Sequence, residues 1–169
     1  MKQQITFAIT RRTLLGSAAG LCFAAEAQAS KPEPVVRSLN AADIAWLASA
    51  NDVGLKVMAS YAHTSEGTAK NLDTAFANWK SDRGSQRAPA KEVAEGLGTL
   101  FGNLVIKQKR ADWAVVTDSY GTDIAVRSAT GGELFPISAV WKRVDPKNGD
   151  IKFFEPIWTL VVEKEFVAR

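Results

Sequence analysis

The sequence predicts a single α+β domain. Helical spacing of apolar residues fills the chain up to about Leu104, and β-rich runs parted by turn clusters follow from Trp113. The two patterns are segregated along the chain, with mixed elements only at the end, which is the signature of α+β rather than α/β architecture. The length of 169 residues supports one core and is short for two.

Asn40 is the expected N-cap of a first helix, with Asp43 in the first turn, where negative charge suits the helix dipole. Ile44, Leu47, Leu55 and Met58 form its expected apolar stripe, with Asn51 in the middle and Trp46 beside it. Gly54 weakens the helix by about 1 kcal/mol relative to Ala, and a bend or break is expected there. His63–Gly67 reads as a loop. Leu72, Ala75, Phe76 and Trp79 then recur at helical spacing on one face of a second helix. Lys80–Arg87 has no period and reads as a polar loop.

Pro89 suits the start of a third helix, along which Val93, Leu97, Leu100, Phe101 and Leu104 keep the period. Gly96, Gly98 and Gly102 in the same helix cost roughly 3 kcal/mol in propensity. Close approach of a neighbouring element across these bare positions is the expected compensation. A phosphate-binding loop is disfavoured, because no strand precedes the glycines and no G-x-x-x-x-G-K-[ST] is present.

Trp113–Thr117 and Asp123–Arg127 flank the turn cluster Asp118–Thr122 and predict a β-hairpin. Glu133–Phe135 can add a third strand, ended by Pro136. Ile137, Val140, Trp141 and Val144 have the spacing of a short helix, and Asp145–Asp150 is a turn. Residues 156–167 are compatible with helix or strand. Pro156 in a first helical turn tips the reading towards helix.

The N-terminus reads as an export address. A charged start, the twelve-residue apolar run Leu14–Ala25 and the small-x-small end Ala27-Gln28-Ala29 make a secretory signal, too short to span a membrane. Arg11-Arg12 before Leu14-Leu15 resembles the twin-arginine signal, and cleavage is expected between Ala29 and Ser30. Cys22 follows Leu21 rather than a small residue, so it reads as part of the apolar run and not as a lipid attachment site. The division expected is a signal at 1–29, a flexible tether at 30–38 and the domain at 39–169. The expected location is the periplasm, with no stable membrane insertion after cleavage. Removing residues 1–29, with Lys2, Arg11 and Arg12 against Glu26, takes the net charge from +3 to +1 and the cysteine count from one to zero. A thiol-free, near-neutral domain suits an oxidising compartment and gives no reason to expect nucleic acid as a partner.

Leu97–Gly102, Trp113–Asp118, Tyr120–Arg127 and Phe135–Val144, in that order, resemble a bacterial domain family of unknown function, DUF3806. The resemblance implies one α+β domain and carries no catalytic role.

No coherent catalytic set is visible. His63, the only histidine, sits in a polar loop and reads as solvated. Asp112, Asp118 and Asp123 match no calcium-loop spacing and read as turn formers. With one Cys and one His, no metal site and no cofactor are expected. Asp118, Asp123, Glu133 and Glu155 are the candidate carboxylates for glycan hydrolysis, which needs a spatial pairing that sequence does not give. Of five tryptophans, Trp79 and Trp141 lie on apolar stripes and read as core, Trp113 as a cap on the core, and Trp46 as the exposed aromatic available to a partner. Lys80, Arg83 and Arg87, and Lys107, Lys109 and Arg110, read as solvated loop charges. The function expected is a non-catalytic binding module for an unknown protein or envelope component. An envelope hydrolase and a periplasmic inhibitor or immunity protein are the alternatives.

Overall fold

The computed structural model describes residues 33–163. The elements run β1 (Val35–Ser38), α1 (Ala41–Tyr61), α2 (Ala69–Ser81), α3 (Ala90–Gln108), β2 (Ala111–Asp118), β3 (Gly121–Ser128), β4 (Glu133–Leu134), α4 (Pro136–Val144) and α5 (Phe154–Trp158). A π-helical turn, Thr159–Glu163, continues α5. This is the expected α+β architecture, with a four-stranded antiparallel sheet in the order β1-β2-β3-β4 among the described residues.

α3 is the element on which the others assemble, and its glycines explain how. A Cβ on Gly96 would stand 2.7 Å from the Gly54 Cα of α1, and one on Gly98 2.6 Å from the Ile137 Cα of α4. A Cβ on Gly102 would collide with the Trp113 ring of β2. Each glycine thus opens a different interface, and the propensity lost along α3 is offset by three close packings. The Gly54–Gly96 crossing also explains why α1 runs unbroken through Gly54: the helix is held by tertiary contact where its own propensity is weak.

The core gathers Met58, Leu72, Phe76, Trp79, Leu97, Phe101 and Phe154, all essentially inaccessible. Phe76 meets Phe153 edge to face at 5.2 Å, and Phe101 meets Phe154 at 5.1 Å, so α5 is clamped to α2 and α3 by aromatic contacts. The predicted face of α2 is buried residue for residue.

Several expectations are corrected. The tether proposed for 30–38 does not extend to its end, because Val35–Ser38 pairs with Thr117–Ala114 as the edge strand β1. All four residues of β1 are exposed, so no buried face marked it in the sequence. The turn expected at Asp118–Thr122 tightens to Ser119-Tyr120, since Asp118 already pairs with Gly121. Asp118 Oδ1 accepts from the Tyr120 N–H at 2.7 Å and closes that turn. Over the described residues the C-terminal segment takes the preferred helical form, starting at Phe154, two residues ahead of Pro156. The buried stripe of α1 is Leu47, Ala50, Gly54, Val57 and Met58, not the one drawn through Ile44 and Leu55. Small residues serve the crossing with α3, which displaces the large ones to the flanks.

Polar groups lock the loops. The α1 cap is reciprocal: Asn40 Oδ1 accepts from Asp43 N–H at 2.9 Å, and Asp43 Oδ2 accepts from Asn40 N–H at 3.0 Å. Arg37 of β1 donates to the same Asp43 carboxylate at 2.6 Å and ties the edge strand to the helix start. That contact, together with the Asn40 N–H, holds the Asp43 carboxyl below the usual carboxylate range. Asp73, buried on α2, accepts from the N–H groups of Phe153, Phe154 and Glu155 at 2.7, 2.9 and 3.0 Å. It anchors the start of α5 from eighty residues away. Lys80 Nζ donates to the carbonyls of Arg143, Asp145 and Asn148 at 2.9, 2.6 and 3.0 Å and fixes the loop after α4.

Candidate binding surface

α1 carries the most unusual surface. Its twenty-one residues include three charged ones, Asp43, Asp52 and Lys56, and Asp43 is spent on the cap. Ile44 is 57% exposed, Leu55 37% and Trp46 36%. An exposed helix normally turns a polar face outward, whereas α1 stays apolar on both flanks of its buried stripe. At about 100° per residue, Ile44 and Trp46 stand roughly 200° apart, so they border the stripe on opposite sides. Alanines 41, 42, 45, 48 and 59 make up much of the surface around them, with Ser49 and Ser60 between.

Beside Ile44 the surface dips into a groove of about 480 Å³ between α1, α3 and β2. Leu39, Ile44, Leu47 and Ala48 supply its apolar wall. A polar chain closes the other side: Trp113 Nε1 donates to Asn103 Oδ1 at 2.9 Å, and Asn103 Nδ2 donates to Asn51 Oδ1 at 3.0 Å. This chain fixes the orientation of Asn51 and Trp113 at the groove. An apolar wall with a few oriented polar groups is the chemistry of a recognition groove. Neither Asn51 nor Asn103 was legible as a binding residue, because Asn51 finds its partner on α3 and Asn103 finds its partners on α1 and β2.

The other expected site residues are dispersed. Asp118 and Asp123 meet in a cleft of about 580 Å³ between the β2–β3 turn and α4, together with Tyr120, Ser138 and Lys142. They lie diagonally across the pair on one sheet face, so their backbones are roughly 7–8 Å apart. Both carry structural bonds. Asp118 closes the turn, and Asp123 accepts from its neighbour's N–H and from the Ser138 hydroxyl in the first turn of α4. Both are half-buried in an open cleft. Glu133 is paired with Arg127 at 3.2 Å, and Glu155 lies at the start of α5, so neither joins them. Asp112 sits at the far end of β2, and among the described residues no three metal-ligating side chains come together. His63 is exposed, in the left-handed conformation (φ 53°) where α1 gives way to its loop.

Among the tryptophans, Trp79 is core, 1% exposed, with Arg87 stacked on its ring at 4.0 Å. Trp141 corrects the expectation of burial: it is 42% exposed, because α4 turns Ile137 and Val140 towards α3 and leaves Trp141 on the flank. Trp113 packs on Gly102 and is half-buried, as expected of a residue at the core's edge. The basic residues also separate, with Lys80 engaged by three carbonyls and Arg87 by Trp79. The export residues Arg11, Arg12, Ala29 and Ser30 lie outside the described residues.

Fold and surface together define a small α+β domain with exposed apolar side chains on α1. Residues 72–153 match the family model described as Domain of unknown function (DUF3806), which supports the resemblance read from the sequence. The matched region includes α3 with its three glycines, the hairpin and α4. No curated protein matches the sequence. Among solved structures the chain is similar to a crystal structure of a protein from Bacteroides thetaiotaomicron VPI-5482, with a TM-score of 0.59 and 11% identity. The similarity covers 80% of this chain and 50% of that one, so the chain spans about half of its structural neighbour. At that identity the likeness is one of fold.

Proposed function

We propose that this chain is exported as a folded protein and acts in the periplasm as a non-catalytic binding module whose docking surface is α1. The observation that carries the binding role is the apolar exterior of α1, with Ile44, Trp46 and Leu55 exposed on a helix that has two charges to spare. That chemistry favours a partner protein presenting an apolar face. A glycan would be met by more polar groups around the aromatic, and nucleic acid by excess positive charge. Support for export comes from Arg11-Arg12 and the A-x-A end at Ala29.

The docking claim is tested by capture from an envelope extract with the wild-type chain and an Ile44→Lys/Trp46→Ala variant. Both sites are exposed, so the variant keeps its fold, checked by circular dichroism, and loses the specific partner. A partner retained equally by both proteins contradicts the proposal. Because Asp118 and Asp123 share a cleft, peptidoglycan turnover is assayed alongside. Turnover that disappears in Asp118→Asn would replace the binding reading with the hydrolase one.

A further inference from the structure

A second groove, of about 550 Å³, opens where β1, the start of β2 and the end of β3 meet, and it collects positive charge. Arg37, Lys109, Arg110 and Arg127 line it, against Asp112. The residues come from three strand regions, and Arg37 belongs to the edge strand that sequence reading treats as tether. In a mature chain of net charge +1, this convergence is local.

The four cations are in two different states. Arg37 and Arg127 are held by carboxylates outside the groove lining, Asp43 at 2.6 Å and Glu133 at 3.2 Å. Arg127 uses its Nε for Glu133, which leaves the terminal nitrogens of the guanidinium as a fork of donors. Lys109 and Arg110 have no acidic partner within ion-pair distance among the described residues. Lys109 is moreover half-buried. Like charges gathered beside a protein surface repel, and a counter-anion relieves that cost. A carboxylate-oriented arginine with unneutralised cations beside it is the arrangement that receives a tetrahedral oxyanion.

We propose that this groove binds the phosphate group of a phosphorylated ligand. The Arg127 fork makes the directional contact, and Lys109 and Arg110 supply charge. The groove is much larger than a single phosphate, so it also accommodates the organic part of the ligand. Both a soluble phosphorylated compound and a phospholipid headgroup present this chemistry.

Titration calorimetry of the full chain with inorganic pyrophosphate at low ionic strength tests the site. Binding is expected to weaken about tenfold or more in Lys109→Ala/Arg110→Ala, to weaken in Arg127→Lys, which keeps the charge but loses the fork, and to fade with added salt. Lys91→Ala, on exposed α3 surface away from the groove, serves as the control and should bind as wild type. Co-sedimentation with phosphatidylglycerol and with phosphatidylcholine vesicles separates the sources. Pyrophosphate binding without vesicle capture assigns a soluble ligand, and capture by phosphatidylglycerol vesicles that the double variant loses assigns a headgroup. Absence of both kinds of binding, or either kind persisting unchanged in the folded double variant, overturns the proposal.

Discussion

Asp73 shows how one side chain can organise a distant element. Its carboxylate accepts three backbone N–H groups at the start of α5, none of which can be paired within that short helix. Asp73→Ala leaves these donors without a partner in or near the core, so a loss of about 3 kcal/mol or more is expected from chemical denaturation. Asp73→Asn keeps one acceptor oxygen and should lose less. Asp43 and Asp82 make a pH prediction of the same kind. Arg37 lowers the Asp43 carboxyl, and the Gly84 N–H followed by the Tyr61 hydroxyl lowers that of Asp82. Carboxyls lowered in the fold contribute stability that is full above the unfolded value of about 3.9 and is lost as pH falls through the folded value. Unfolding followed at a series of pH values should show stability declining below about pH 4, and less steeply in Asp43→Asn. Tyr61 has the opposite sign. Burial raises its phenol, so its contribution persists below about pH 10 and is lost as pH rises through the folded value. Asp43 was legible from its position after an N-cap. Asp73 was not, since it sits among the polar residues of a helix and its partners lie eighty positions away.

The elements follow the local code where the code is periodic. α2 was readable because a single face, Leu72 to Trp79, meets the core. α1 was readable as a helix but not in its facing. Its crossing with α3 is made through Gly54 and Gly96, and a pattern of large apolar residues cannot reveal an interface built from small ones. β1 escaped because an exposed four-residue edge strand carries neither alternation nor a buried side. The glycines at these crossings give a direct test. Gly→Ala at an exposed helical position should gain about 1 kcal/mol from propensity. Gly102→Ala drives a methyl group into the Trp113 ring, and Gly54→Ala places one 2.5 Å from the Gly96 carbonyl oxygen. Both should therefore lower stability, by about 1–3 kcal/mol net of the propensity gain, in the range of overpacked cores. Denaturation midpoints decide the sign.

At the scale of the molecule, net charge was a poor guide to surface chemistry. The near balance of 21 basic against 18 acidic residues hides a groove in which four cations face one acid. Which charges converge depends on strand pairing, and the sequence could not pair β1 with β2. One exposed aromatic was legible: Trp46 falls beside the apolar stripe whichever way that stripe is drawn, and it is exposed in the fold, whereas Trp141, expected in the core, is more exposed still. The proposed export would depend on the arginine pair. Replacing Arg11 and Arg12 together by lysine should leave the precursor in the cytoplasm, as read by fractionation, and unimpaired export would point to the general secretory route.

The role of α1 is tested most directly by site-specific photocrosslinking in living cells, with benzoylphenylalanine in place of Trp46. The docking account predicts a discrete adduct with one protein partner, absent when the same probe replaces Lys91 on α3. The absence of an adduct at position 46, or the same adducts from both positions, would contradict it.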